Sequence, residues 1–210
     1  DFHKKDGTYY SASQVTSFCR SKSKAHTFWA DKLSNGKIEG WPNHKEVFKD
    51  WSAGEMELVL DALDKVPEFL WEDVKIFRAS ISSAHSLNAG TSAKHVMVIY
   101  DEAIKNKAVL PRVMAHELAH QLYRDFNDAQ KIGYNLAADW ELNVKNKNNK
   151  AFRTNRKKFV APDGDLGPEE DFANNIEYFL FDKKLLGLKS PRIMEGIDIE
   201  YGDKIKGKKD

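Results

Sequence analysis

One cysteine, Cys19, is all that the 210 residues contain. No intrachain disulfide can form and no cage of thiolates can hold a metal, so any metal must be bound by His, Asp or Glu. Charge of one sign is just as scarce: 33 Lys and Arg stand against 32 Asp and Glu, a formal net charge of +1. A chain so balanced lacks the electrostatic footprint of a dedicated nucleic-acid binder, and no nucleic-acid partner is expected. Apolar runs are short. None reaches the roughly 18 residues that would span a bilayer, so no transmembrane segment is expected. The chain begins at Asp1 rather than at methionine. Loss of a signal peptide or of a larger N-terminal region is therefore expected, with a secreted or periplasmic location preferred over a cytoplasmic one.

What the chain does contain is His116-Glu117-Leu118-Ala119-His120. On a helix, the two imidazoles lie one turn apart on one face and can clasp a single ion, while Glu117 points toward the water that the ion activates. Each residue type is needed. Neutral imidazole binds Zn²⁺ well, zinc lowers the pKa of a water to about 7, and a carboxylate can take that proton and pass it to a leaving amine. The flanks support a buried helix from about Lys107 to Arg124. Val109, Leu110, Val113, Met114, Leu118 and Leu122 recur at three- and four-residue steps, Asn106 can cap the start, and Pro111 suits a first turn.

With 41% hydrophobic residues, the length suits one domain, residues 55–210, preceded by an aromatic-rich extension, residues 1–54, packed onto it as short helices and loops. From Gly54 the periodicity sharpens. Glu55 to Lys65 reads as a helix stopped by Pro67, Val74 to Arg78 as a strand, Ser80 to Lys94 as a loop, and His95 to Tyr100 as a second strand. After the histidine pair, Ala129 to Val144 carries Ile132, Leu136, Ala137, Trp140 and Val144 at helical spacing. Lys145 to Lys158 holds seven basic residues and no acidic one, a solvated loop or a contact for an acidic substrate or anionic surface. Pro168 opens a last strong helix whose first turn carries Glu169, Glu170 and Asp171. The tail from Lys204 to Asp210 is charged and expected to fray. The pattern is α+β: a small mixed sheet packed on the metal helix, with a mostly helical C-terminal half. The active cleft is expected between the strand ending at Tyr100 and that helix.

A catalytic zinc site needs three protein ligands and an open position. Glu170 is the first choice for the third ligand. Phe172, Ile176 and Phe179 form one face of its helix and Glu170, Ala173 and Glu177 another, where the small Ala173 allows close approach. Asp139, Glu169 and Glu177 remain rivals.

His116 to His120 followed by Glu170-Asp171-Phe172-Ala173 resembles the gluzincin pattern, HExxH plus a glutamate on a later helix. It is similar in particular to anthrax lethal factor-like catalytic domains and related bacterial metallopeptidases, whose ligand helix reads Glu-x-Phe-Ala. The resemblance covers about Glu55 to Leu186 and implies a zincin-like fold. It also implies one Zn²⁺ on His116, His120 and Glu170, with Glu117 as general base. Two features depart from the pattern: Asn174 stands where lethal factor has a second glutamate, and Val160-Ala161-Pro162-Asp163 lacks the tyrosine that precedes its ligand helix. The oxyanion-stabilising group is thus open among Tyr134, Tyr178 and Arg153. The expected activity is hydrolysis of a peptide or protein substrate. The alternatives are a delivered toxin protease with one specific target, and a non-catalytic zinc or partner-binding domain.

Overall fold

The structure is a computed structural model that describes residues 2–3, 9–10, 32–39, 41, 46–81, 89–142, 152–154 and 159–206. Most of the basic stretch between Lys145 and Lys158 lies outside the described residues, as do Cys19 and the aromatics Phe18, Phe28 and Trp29. The fold is mixed α+β, with seven α-helices and a small mixed sheet among the described residues. The chain divides into two compact units, Asp1–Met114 and Ala115–Asp210.

The first unit is organised by its sheet. Strands β1 (Phe2–His3) and β2 (Tyr9–Tyr10) pair with each other. The main sheet contains β3 (Leu33–Ser34), β4 (Glu46–Lys49), β5 (Lys75–Ile81), β6 (Gly90–Ala93) and β7 (Val96–Ile99), in the order β3-β5-β7-β6 with β4 also on β5. β5 runs parallel to β3 and β7 and antiparallel to β4, and β6 is antiparallel to β7. Two expectations change here. Residues 33–34 and 46–49, expected as helix or loop, supply strands, and residues 90–93 form an edge strand rather than loop. Gly90-Thr91-Ser92-Ala93 is too polar and small to announce a strand, and its pairing is decided by the apolar β7 beside it. Trp51, 1% exposed, helps fix β3 on β5 because its indole N–H lies within reach of the carbonyls of Ser34 at 3.2 Å and Ile76 at 3.3 Å.

Helix α1 (Ala53–Leu63) begins two residues before the expected Glu55, because Ser52 and Glu55 form a capping box. Val59, Leu60 and Leu63 are its buried stripe. The short α2 (Asp101–Lys105) follows β7, and α3 (Leu110–Asp125) carries the histidine pair. α3 starts later than the expected Lys107. Pro111 has no N–H to bond the Lys107 carbonyl, so the continuous ladder begins with Val113 N–H on Val109.

In the second unit α3 is followed by α4 (Asp128–Ala137), whose Asn127 and Gln130 form a second capping box. The expected helix to Val144 is cut short. Asp139 sits in the left-handed region at φ 58°, and Trp140–Leu142 becomes β8, paired with β9 (Phe152–Thr154). Ile132 and Leu136, expected to help form its apolar stripe, are 58% and 67% exposed. Helix α5 (Pro168–Phe181) has Pro168 in its first turn, and Phe172, Ile176 and Phe179 are buried as the spacing predicts. Two helices escaped the sequence reading, α6 (Lys183–Lys189) and α7 (Pro191–Ile205). Asp182 caps the first at Leu185 N–H, and Ile193, Ile197 and Tyr201, one turn apart, are the buried stripe of the second.

Candidate metal centre

His116 and His120 are four residues apart on α3, so helical geometry alone stacks them on one face. Their rings lie 4.8 Å apart at 81°, and the two Nε2 atoms approach to 3.1 Å. His120 is 5% exposed, so the histidine face of the helix is covered. What covers it is acidic. Glu170 Oε2 on α5 lies 3.4 Å from each Nε2 atom.

These three atoms form a nearly equilateral triangle with edges of 3.1, 3.4 and 3.4 Å. A tetrahedral zinc with arms of 2.0–2.1 Å separates any two ligand atoms by about 3.3 Å. The triangle is therefore the right size for one ion. Hydrogen bonding fits it less well, since at most one Nε2 atom can donate to the other, and the same carboxylate oxygen faces both. The donor set of two imidazoles and a carboxylate is that of catalytic rather than structural zinc. Among the described residues it is the one group of His, Cys, Asp and Glu whose ligand atoms converge in this way.

The other ring nitrogens are occupied too. His120 Nδ1 meets Glu169 Oε1 at 3.1 Å, and His116 Nδ1 faces Glu177 Oε2 at 3.5 Å. A neutral imidazole that donates Nδ1–H to a carboxylate presents Nε2 as its lone-pair face, the tautomer that a metal requires. Glu169 also takes Arg124 Nη2 at 2.7 Å. The sequence reading ranked Glu169 and Glu177 as rival ligands. The structure sets them behind the rings, on the Nδ1 side.

Electrostatics record the crowding of acids. Burial alone would push the His116 imidazole down, but hydrogen bonds to Glu170 and Glu177 and the charges of Glu117 and Glu177 lift it to about 10. His120 is likewise raised: Glu169, Glu170 and Glu117 outweigh burial and the charge of His116. Both histidines hold the Glu170 carboxyl well below the ordinary range against the opposing effect of burial. Glu169 is lowered by His120 first, with burial opposing and Arg124 adding to the effect. The surrounding acids thus favour positive charge on the two imidazoles.

The remaining candidates fall elsewhere. Asp139 ends up half exposed, 3.4 Å from Arg192 Nη1 and absent from the converging group. Its backbone turn has taken it off the end of α4. Asp171, the third acid in the first turn of α5, is fully buried and accepts hydrogen bonds from Tyr134 Oη at 2.9 Å, Trp140 Nε1 at 3.0 Å and Asn175 Nδ2 at 3.1 Å. This network ties α4 and β8 to the ligand helix. It also commits the Tyr134 hydroxyl, which accepts from Asn175 at 2.9 Å, and so weakens Tyr134 as an oxyanion donor. Glu117 and Tyr178 are half-buried on α3 and α5, and the side chain of Arg153 lies outside the described residues.

Sequence reasoning missed Arg124. Its signal was present: His116, His120 and Arg124 continue one stripe at four-residue steps. Comparison with known protein families, curated proteins and solved structures finds no match.

Proposed function

We propose that this protein is a zinc-dependent metallopeptidase, binding one Zn²⁺ through His116, His120 and Glu170 and using Glu117 as general base. The observation that carries the reading is the triangle of Nε2, Nε2 and Oε2 atoms, sized for one tetrahedral ion, next to the glutamate that follows His116. The order of motifs, HExxH and then a glutamate on a later helix, supports a gluzincin type.

Bound there, Zn²⁺ supplies Lewis-acid chemistry, acidifying water and polarising a carbonyl. The protein's own groups do the rest. Glu177 and Glu169 hold the imidazoles in the Nδ1–H tautomer, so that both Nε2 lone pairs face the site. Glu117 takes a proton from the attacking water as its oxygen bonds to the carbonyl carbon, then gives that proton to the nitrogen as the C–N bond breaks. Three protein ligands leave a fourth position for water and substrate. The substrate class is a peptide or protein.

Metal analysis of the purified chain, paired with cleavage of a mixed peptide library, tests this reading. The expected result is one zinc per chain and cleavage that a chelator abolishes and added zinc restores. A chain that binds no zinc sinks the metal site. A zinc-loaded chain that cleaves no peptide sinks the peptidase and leaves a zinc-binding module.

A further inference from the structure

The contacts between α3 and α5 form a ladder with one rung more than a metal site needs. Along α3 the stripe reads His116, His120, Arg124; along α5 its partners are Glu177, Glu170 and Glu169. The rungs pair in opposite order: His116 with Glu177, both histidines with Glu170, His120 with Glu169, and Arg124 with Glu169. Glu169 thus serves two residues of α3 at once through one oxygen, Oε1, at 3.1 Å from His120 Nδ1 and 2.7 Å from Arg124 Nη2. A carboxylate on a helix end has several rotamers, and a single imidazole N–H selects weakly among them. A guanidinium on the same oxygen narrows that freedom, because its N–H groups are held in a planar fork.

We propose that Arg124, acting through Glu169, is a positioning residue for the metal site. It fixes the Glu169 carboxylate, which fixes the tautomer and ring plane of His120. The proposal rests on the zinc reading above and adds to it a residue that touches neither metal nor substrate. Glu177 faces the Nδ1 of His116 in the same way, with its Oε2 at 3.5 Å.

The test is zinc affinity of the full chain, measured by competition with a chromophoric chelator, together with the visible absorption of the cobalt-substituted protein. Glu169→Ala is expected to weaken zinc on the order of 10- to 100-fold and to shift the cobalt bands, as loss of a carboxylate behind a ligating histidine does. Glu169→Gln, which keeps an acceptor for Nδ1–H, recovers most of that loss. Arg124→Met alone costs about fivefold, the scale of a half-exposed ion pair. The deciding measurement is the double variant Arg124→Met/Glu169→Ala, expected to bind zinc no more weakly than Glu169→Ala alone, because Arg124 acts only through Glu169. Additive losses, or an Arg124→Met protein with unchanged affinity and cobalt spectrum, overturn the proposal while the zinc reading stands. A wild-type chain that binds no zinc overturns both. Should Glu169→Ala fail to fold, Glu169→Met, which fills the space and offers Nδ1–H no carbonyl or carboxylate oxygen, completes the same cycle with Arg124→Met.

Discussion

Arg78 in the first unit and His120 in the second are buried to nearly the same degree, 3% and 5% exposed, yet they meet very different company. Arg78 donates to Glu55 Oε1 at 3.0 Å, to Asp101, and to the carbonyls of Ala79 and Ile99. Lys49 adds a second cation 3.3 Å from Asp101. Two permanent cations thus stand against two carboxylates, and the cluster neutralises itself. Around the histidines, Glu117, Glu169, Glu170 and Glu177 raise the two imidazoles, and Arg124 pairs with Glu169. The first arrangement ties β5 to the N-terminal turns of α1 and α2 and needs nothing further. The second gathers its acids around two titratable imidazoles, where the proposed zinc would sit. The company that a buried group keeps, more than its burial, thus separates the two clusters.

The sharpest way to break the comparison is at Glu117, one of these acids and, in the proposed mechanism, the general base rather than a ligand. Glu117→Ala is expected to retain its zinc while hydrolysis falls by about 10²- to 10⁴-fold, the usual worth of a positioned general base. Zinc content and turnover are measured on the same preparation. A Glu117→Ala protein as active as the wild type would remove this residue from the mechanism. At the other cluster, Arg78→Met strands two carboxylates and two carbonyl oxygens, which should cost about 3 kcal/mol of stability. That is the low end for a broken buried pair, because Asp101 is 37% exposed and water screens part of the loss. Zinc affinity should not change, because the two clusters share no residue. A large fall in affinity would show that they are not separate devices.

Metal removal sharpens the contrast from the opposite side. Zinc at about 100 times its dissociation constant should stabilise the fold by about 2.7 kcal/mol, and a chelator should take that away. In Arg78→Met the chelator should remove the same amount, so that the two losses add. A chelator effect that vanishes in Arg78→Met would contradict the separation.

How much of this was legible in the sequence differs between the clusters for a physical reason. The pentapeptide and Pro111 lie within one helix, where a period of 3.6 fixes which side chains share a face. The pairing of Glu170 with Glu177 across Ala173 was visible on the same ground. Which carboxylate would reach an Nε2 atom and which an Nδ1 atom depends on how α5 is rotated about its axis. That rotation is pinned by the buried bonds of Asp171 to Tyr134 and Trp140, two residues remote in sequence. Asp139 was lost as a ligand through the turn that lets Trp140 join β8. The Arg78 cluster left no local trace at all, since its members come from a strand and from the first turns of two helices. Zincin-likeness remains part of the proposal, whereas the mixed α+β arrangement with a helical C-terminal half is seen directly.

The smallest effect is the pH dependence that Arg78 should impose. Burial pushes the Glu55 carboxyl up, but the Ser52 backbone and hydroxyl and the Arg78 charge outweigh it, leaving Glu55 below its ordinary 4.5. Asp101 is lowered in the same way from 3.8, burial being overcome by Arg78 and Lys49. A carboxylate whose folded pKa is depressed contributes stability that is fully present above its unfolded value and is lost as pH falls through the folded one. The contribution of this cluster should therefore be intact at pH 6, start to fall near pH 4.5, and be gone only below the depressed values. Allowing for the exposure of Asp101, the part owed to Arg78 is about 1 kcal/mol. The penalty of Arg78→Met should accordingly shrink from about 3 kcal/mol near neutrality to about 2 kcal/mol in acid. Urea unfolding of both proteins between pH 6 and pH 3, with chelator present to silence the metal site, measures that convergence. Parallel curves would mean that Arg78 holds the first unit together through its carbonyl contacts alone, and that the balance of charge around it is incidental.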